Sequence, residues 1–261
     1  MKKLLYVSFL SVSLFTLWFC TSSSSSKERE PVVSVHSNAP GAEFKPVAVL
    51  ELFTSQGCSS CPSADRLLEA YSHKENVIAL SFHVDYWDRL GWKDPYSSSE
   101  YTQRQYKYAS ALNSSVYTPQ LVVNGQSEMV GSDASKIDKT LKKIFSQNPN
   151  SEISIQAAKF DNGKIAMDYT IAGKSGNSKL NIALVEKKTV TSIKAGENGG
   201  VTLNGSNVVR NFMILNKPAS GKNSATIEVP AGINRENMSV VLFLQEADNK
   251  IIAADQTSIT M

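Results

Sequence analysis

The chain has 261 residues, 41% of them hydrophobic and 20% charged, the make-up of an ordinary folded protein long enough for two modest cores. Its formal charge of +3 comes from lysines spread thinly along the sequence, with no basic block, so no nucleic acid is implied as a partner.

Lys2 and Lys3 form a basic start, and Leu4 to Phe19 is too short and too serine-rich to be a comfortable membrane span, so this stretch reads as a secretory signal. It closes on Cys20, followed by Thr21 and a run of serine from Ser22 to Ser26. A cysteine there, before a polar tether, resembles a bacterial lipoprotein, which implies that Cys20 carries lipid and anchors the protein to a membrane. Phe19 stands where that pattern has a small residue, so an uncleaved anchor and plain secretion are the alternatives. Residues 1–20 are therefore expected to be a lipoprotein-type signal peptide, and residues 21–45, with Pro31, His36, Pro40 and Gly41 and no sustained period, a flexible linker. The folded part is expected in the cell envelope, periplasmic or as an outer-membrane lipoprotein, where the cytosolic thiol pool does not keep cysteines reduced.

At Pro46 the pattern changes. Val47 to Phe53 is a nearly continuous apolar run, the signature of a strand covered on both faces in an α/β sheet. Gln56 and Gly57 end it, and a helix is predicted from about Ser59 to Ser72, with Leu67, Leu68 and Tyr71 as its apolar stripe. Val77 to Val84 is a second strand of the same type, so strand, helix and strand form a βαβ unit with parallel strands. The run from Ser97 to Glu100 offers a capping box for a helix marked by Tyr101, Tyr108 and Leu112 and ending near Asn113. Thr118-Pro119 precedes two short runs, Gln120 to Val123 and Gln126 to Val130, and Asn124-Gly125 between them signals a two-residue hairpin. A last helix from about Ser132 is expected to bury Ile137, Leu141, Ile144 and Phe145.

Beyond Pro149 the period becomes two. Strands are predicted around Ile153, over Ile165 to Ile171, over Leu180 to Leu184, and near 207–213, 225–229, 240–245 and 251–259. Half-buried strands with no convincing helix predict an antiparallel β-sandwich over residues 150–261, after an α/β domain over 46–149. The second part has no cysteine or histidine, and its glycine-rich stretch Gly196 to Gly205, followed by Arg210, reads as a long inter-strand loop before it reads as a cover or a grip on a partner.

The chemistry gathers at Gly57-Cys58-Ser59-Ser60-Cys61-Pro62, which holds the only cysteines after residue 20. Their spacing lets them close into a disulfide with little backbone movement. Cys58, expected at a helix N-terminus where unpaired N–H groups favour an anion, is the candidate nucleophile, and Cys61, one turn in, the resolving thiol. An inert structural disulfide is the alternative, weakened because so short a loop removes little entropy from the unfolded chain.

Glu51 interrupts the first strand and is a candidate to take the proton of Cys61, since burial makes a carboxylate a stronger base; the alternative is a strand-end glutamate that reaches water. His83, Asp85, Tyr86, Trp87 and Asp88 follow the second strand at the sheet edge where active sites of open α/β sheets gather. His83 is a candidate to steady the thiolate, to join Cys58 and Cys61 as metal ligands suited to copper, or to serve only as a hydrogen-bonded strand residue. Trp87 and Trp92 also read as loop anchors, and His73 as an exposed helix-end residue.

The order strand, Cys-x-x-Cys, helix, strand, helix, Thr-Pro, strand, strand, helix resembles the thioredoxin-like core. That resemblance implies a cis bond before Pro119 facing the dithiol, with Thr118 and Trp87 as substrate-binding candidates and the thiols shielded from metal. More narrowly, the runs Glu51 to Pro62, Phe82 to Asp88, Gly91 to Pro95 and Val116 to Gly125 resemble the secreted bacterial family of unknown function DUF1223, and the likeness continues into Gly196-Glu-Asn-Gly199 and Asn207-Val-Val-Arg210. The expectation is an α/β thioredoxin-like domain followed by an all-β sandwich-like domain, acting as a thiol-disulfide oxidoreductase. It would need no cofactor beyond its redox-active disulfide, with protein thiols or disulfides of the envelope as partners. The alternatives are a copper carrier using Cys58, Cys61 and His83, or an envelope binding protein in which the sandwich carries the function.

Overall fold

A computed structural model describes residues 44–260 of the protein. The expected signal peptide with Cys20, and the linker as far as residue 43, lie outside the described residues. The first half contains β1 (Ala48–Thr54), α1 (Cys61–Ser72), β2 (Val77–His83), α2 (Ser99–Ala111), β3 (Gln120–Val123), β4 (Ser127–Val130) and α3 (Ala134–Phe145).

β1 and β2 are buried along their whole length and pair in parallel, as a βαβ unit requires, while β3 runs antiparallel to β1 and β4 antiparallel to β3. Side-chain alternation then divides β1 between two helix layers. Leu50 and Leu52 pack with Ala64 and Leu68 of α1 and with Ile137 and Leu141 of α3, whereas Val49 and Phe53 pack with Tyr101 and Tyr108 of α2. The helices begin slightly later than the sequence predicts. α1 starts at Cys61, with Ser60 as N-cap and Pro62 in the first turn, where a missing N–H costs nothing. α2 is capped by Ser98, which accepts from Glu100 N–H, and α3 by Asp133, which accepts from Lys136 N–H. Phe145, expected in the core, is exposed at the last residue of α3, where the stripe of Ile137 and Leu141 runs out.

The hairpin at Asn124-Gly125 forms with both residues at positive φ, 46° and 65°. Three residues separate the paired Val123 and Ser127, so the loop is one longer than expected. Glycine is required there, because a Cβ on Gly125 would lie 1.9 Å from the carbonyl oxygen of Asn249.

The second half supplies β5 (Ser151–Asp161), β6 (Lys164–Gly173), β7 (Lys179–Ser192), β8 (Thr202–Asn216), β9 (Gly221–Glu228), β10 (Met238–Gln245) and β11 (Ile251–Ser258). All the predicted strands are present, yet they do not stand apart as a sandwich domain. β8 lies parallel to β2, joined at Ser81 and Val208, and the result is one 8-stranded mixed sheet ordered β11-β10-β7-β8-β2-β1-β3-β4. A second, 3-stranded antiparallel sheet, β5-β6-β9, covers one face of its β7–β10 portion, packing Ile153, Ile165 and Ile171 against Ile182, Leu184 and Leu242. The opposite face of the same strands, with Ala183, Val185, Val241 and Phe243, joins the core under α2. Two facing sheets are therefore present as expected, but one of them is the α/β sheet continued.

The physical reason is edge pairing. β2 presents a row of backbone groups on the side away from β1, and β8 pairs with it at Ser81 and Val208. A sequence signal for this existed. Ile182 to Val185 and Val240 to Leu244 are unbroken apolar runs, which mark strands covered on both faces rather than sandwich strands with one wet side.

Candidate redox site

β1 ends at Thr54 and its continuation, Ser55-Gln56-Gly57, turns the chain into the cysteine pair. Cys58 and Cys61 are joined by a disulfide, with their Cα atoms 5.4 Å apart, and Cys61 N–H donates to Cys58 O at 3.2 Å. Cys58 sits in the turn before α1, not on its first residue, and Cys61 is the first helical residue. Both are enclosed, with 1% and 0% of their surfaces exposed, while Ser59 and Ser60 between them face solvent.

Trp87 stands beside the turn into Cys58, and Thr118 stands beside Trp87. A Cβ placed on Gly57 would come within 3.3 Å of Trp87 Cβ, so this ring's base lies directly against the backbone that precedes Cys58. Trp87 Nε1–H donates to Thr118 Oγ1 at 2.8 Å, and the Thr118-Pro119 bond is cis, as the resemblance implied. Gly131 lies among Leu52, Ala64 and Pro119: a Cβ there would be 2.5 Å from Leu52 Cδ1, 3.0 Å from Ala64 Cβ and 3.3 Å from Pro119 Cβ. Pro119 is thereby held near the helix that begins at Cys61.

The cover over the pair comes from the β7–β8 connection. Asn198 Nδ2 donates to Gln56 O at 2.9 Å and to Cys58 O at 3.0 Å, and Glu197 Oε2 accepts from Ser59 N–H at 3.0 Å. The hydrogen bonds from Ser59 hold the Glu197 carboxyl below its ordinary range. Gly196 has φ +78°, and a Cβ on it would lie 3.3 Å from Trp92 Cβ, so the cover seats closely on the loop after β2. The stretch from Gly196 is an inter-strand loop as far as Val201, with Thr202 to Gly205 already in β8, and these contacts show that the loop also packs on the cysteine turn, the alternative its sequence offered. Its signal was the polar pair Glu197-Asn198 set among glycines.

Behind the cysteines lies a buried ion pair. His83 Nδ1 meets Asp94 Oδ2 at 2.7 Å, and Asp94 also accepts from Gln56 N–H at 2.8 Å and Tyr96 N–H at 2.9 Å. Burial opposes the imidazolium, but the charge and hydrogen bond of Asp94, with the charge of Asp65, outweigh it and raise the His83 pKa. Burial likewise opposes the Asp94 carboxylate, and His83 with the two backbone donors overcomes it, lowering the Asp94 pKa. Arg210 is ion-paired to Glu186 and stacks its guanidinium 4.9 Å from the Tyr96 ring, which in turn lies 5.5 Å from the His83 ring. Asp94 was not singled out by the sequence, where an aspartate in a loop before proline looks like a turn residue.

Asp65, also missed, stands on α1 beside this pair. The residue is half-buried but its Oδ1 is enclosed, and burial pushes its pKa up to about 6 against the lowering effects of His83 and Thr54.

Glu51 is buried as expected, but it does not serve the cysteines. It shares the β1 face of Val49 and Phe53, opposite the face that meets α1. There Arg104 of α2 grips its carboxylate with Nε at 2.6 Å and Nη2 at 3.1 Å, and Tyr108 donates its hydroxyl to the same group. The guanidinium is packed among rings, 4.7 Å from Phe212, 5.5 Å from Phe243 and 5.7 Å from Phe82. Glu51 is a structural ion-pair residue.

The copper set of Cys58, Cys61 and His83 is not assembled either. Among the described residues no three His, Cys, Asp or Glu side chains are grouped to hold a metal ion, and Nδ1 of His83 is committed to Asp94. His73 is the exposed C-cap of α1, as expected, and His36 lies outside the described residues.

The family described as a protein of unknown function, DUF1223, matches residues 49–245, which include every residue of the site described above. A crystal structure of a protein from Agrobacterium tumefaciens is 30% identical and covers 82% of this chain and 95% of its own, with a TM-score of 0.63. A domain of the outer membrane lipoprotein Omp28 from Porphyromonas gingivalis is 16% identical over 42% of this chain and 96% of its own, and its TM-score of 0.27 carries no argument. No curated protein matches the chain.

Proposed function

The chain belongs to the DUF1223 family, whose role is unknown, and we propose that this member is a thiol-disulfide oxidoreductase of the cell envelope acting through Cys58 and Cys61. The observation that carries the reading is the Cys58–Cys61 disulfide at the β1–α1 junction, with Trp87 against the turn that leads into it and hydrogen-bonded to Thr118. The strand order β2-β1-β3-β4, with α1 and α3 on one face and α2 on the other, supports a thioredoxin-like assignment of residues 46–149. A disulfide spanning so short a loop contributes little to stability, so stabilising the fold does not account for it.

In the oxidising direction, a partner thiolate attacks Cys58 Sγ. The Cys58–Cys61 bond breaks, and its electron pair leaves on Cys61, which takes up a proton. A second partner thiolate then attacks the partner sulfur and releases Cys58, so the partner gains a disulfide and this protein a dithiol. The reducing direction is the reverse. Cys58 is the sulfur assigned to meet the partner, because it lies in the turn flanked by exposed Ser59 and Ser60, while Cys61 is held in the first turn of α1. The partners are envelope proteins with thiols or disulfides, met by a protein tethered to the membrane through lipid on Cys20.

Replacing each cysteine tests this. Cys58→Ser is expected to abolish exchange with a test disulfide, and Cys61→Ser to trap a mixed disulfide at Cys58. If both variants exchange as fast as the parent, the oxidoreductase reading is wrong.

A further inference from the structure

Asp65 follows Cys61 by four residues on α1, a spacing that places two side chains side by side on one helix face with about 5–6 Å between Cβ atoms. The buried positions around it on the helix are Cys61, Ala64 and Leu68, so a carboxylate is out of place there by packing alone. Its enclosed Oδ1 makes no hydrogen bond of ordinary geometry among the described residues, and neither does Thr54 Oγ1 at the end of β1. Leaving a buried carboxylate oxygen without a donor costs stability, so a compensating role is called for. The groups that act on it come from several elements: His83 from β2, Thr54 from β1, Asp94 from the loop after β2, and Arg66 from α1 itself. His83 and Asp94 are paired with each other, which leaves Asp65 the acid of the group with no ion-pair partner among the described residues.

We propose that Asp65 is the acid–base residue of the resolving cysteine, taking the proton of the Cys61 thiol when Cys61 attacks and returning it when Cys61 leaves. This rests on the oxidoreductase reading above. With a partner disulfide as oxidant, Cys58 first forms a mixed disulfide with one partner sulfur. The S–H bond of Cys61 then breaks toward the Asp65 carboxylate, and the Cys61 sulfur attacks Cys58 Sγ. The Cys58–Cys61 bond forms, the bond from Cys58 to the partner breaks, and its electron pair leaves on the partner as a thiolate. The dithiol is oxidised and the partner disulfide reduced. Burial, offset first by the His83 charge and then by the Thr54 hydroxyl, sets Asp65 near pH 6, so it is ionised at neutral pH yet a stronger base than an ordinary aspartate.

The test uses the full chain, reduced and mixed with glutathione disulfide, with acid-quenched mass spectrometry following first the mixed disulfide and then the closed Cys58–Cys61 pair. In Asp65→Asn the first step is expected at the parent rate and the second slowed about 100-fold, with the pH dependence of resolution between pH 5 and 7 lost. Carbon-13 NMR of the Asp65 carboxyl in the parent gives a second readout, independent of the variant's folding: its titration midpoint is expected to differ between the oxidised and reduced proteins, because two neighbouring acids titrate as a coupled pair. Equal resolution rates in variant and parent, both steps slowed alike, or a midpoint indifferent to the redox state would each overturn the assignment to Asp65 alone. A parent that forms no mixed disulfide at all would instead overturn the oxidoreductase reading, and this proposal with it.

Discussion

The Asn198 amide donates to the carbonyl of Cys58 at 3.0 Å across 140 residues of sequence, so the half of the chain without cysteines closes over the half that has them. The same amide reaches Gln56 O at 2.9 Å, and this pair of bonds spans the turn into the disulfide. Cys58 is 1% exposed, so on the proposed reading a partner reaches its sulfur only in an open form, and the two Asn198 bonds oppose that opening.

Asn198→Ala removes both bonds. Each is worth about 1 kcal/mol, so the open form is expected to gain about 30-fold in population relative to the closed one. Reduced Asn198→Ala should react with a bulky maleimide correspondingly faster at Cys58, with its unfolding free energy in urea lowered by no more than the same roughly 2 kcal/mol. An alkylation rate equal to that of the parent would show that the cover does not limit access.

Glu197 occupies Ser59 N–H, a donor of the cysteine turn that would otherwise be available to an anion at Cys58. Its own negative charge also disfavours a neighbouring thiolate. Glu197→Gln should therefore stabilise the reduced form and make the pair more oxidising. A shift of on the order of 10–30 mV is expected in a glutathione redox titration, where about 30 mV is tenfold in the equilibrium constant. A shift toward more negative potential would contradict this account.

The buried His83–Asp94 pair gives the fold a defined pH window. Asp94 is lowered from 3.8, so its contribution is present above that ordinary value and is lost as pH falls through the folded-state pKa. His83 is raised from 6.5, so its contribution is full below that value and is lost as pH rises through the folded-state pKa. Removing one partner strands the other, and Asp94→Asn is expected to cost about 3 kcal/mol or more between the two ordinary values. Urea unfolding at pH 5.5 and pH 9 checks it, since the penalty should shrink at the higher pH.

Asp65 works in the opposite sense. Its pKa is raised from 3.8 to about 6, so the folded state holds this proton more tightly than the unfolded one and stability falls as pH rises between those values. The parent carries that deficit at pH 7, and Asp65→Asn should relieve it, gaining about 2–3 kcal/mol at pH 7 and almost nothing at pH 3.5. A variant less stable than the parent at neutral pH would mean that the carboxylate has a partner it does not show.

How much of this was legible follows from where each interaction runs. The first half could be read because its signals are local: the apolar runs of β1 and β2, the Asn124-Gly125 turn and the Cys-x-x-Cys spacing each lie within a few residues. The β2–β8 pairing, the Asn198 cover and the Glu51–Arg104 pair join residues far apart in sequence, and a periodicity names a strand without naming its neighbour. Glu51 shows the cost of this. Its burial was correctly inferred, but the face it points to depends on which helix packs there, and parity alone sends it to α2.

The two acids can be told apart by experiment. Glu51 is fully buried and bound to Arg104 and Tyr108 on the α2 face, so Glu51→Gln leaves a guanidinium without its counter-charge. The expected cost is about 3–5 kcal/mol of stability, the usual penalty for breaking a buried pair from one side. Because the α1 face is untouched, the folded variant should resolve a mixed disulfide at the parent rate, measured at low temperature and low denaturant where it remains native. Resolution slowed about 100-fold in Glu51→Gln, with Asp65→Asn unaffected, would reverse the two assignments and return the proton to the strand.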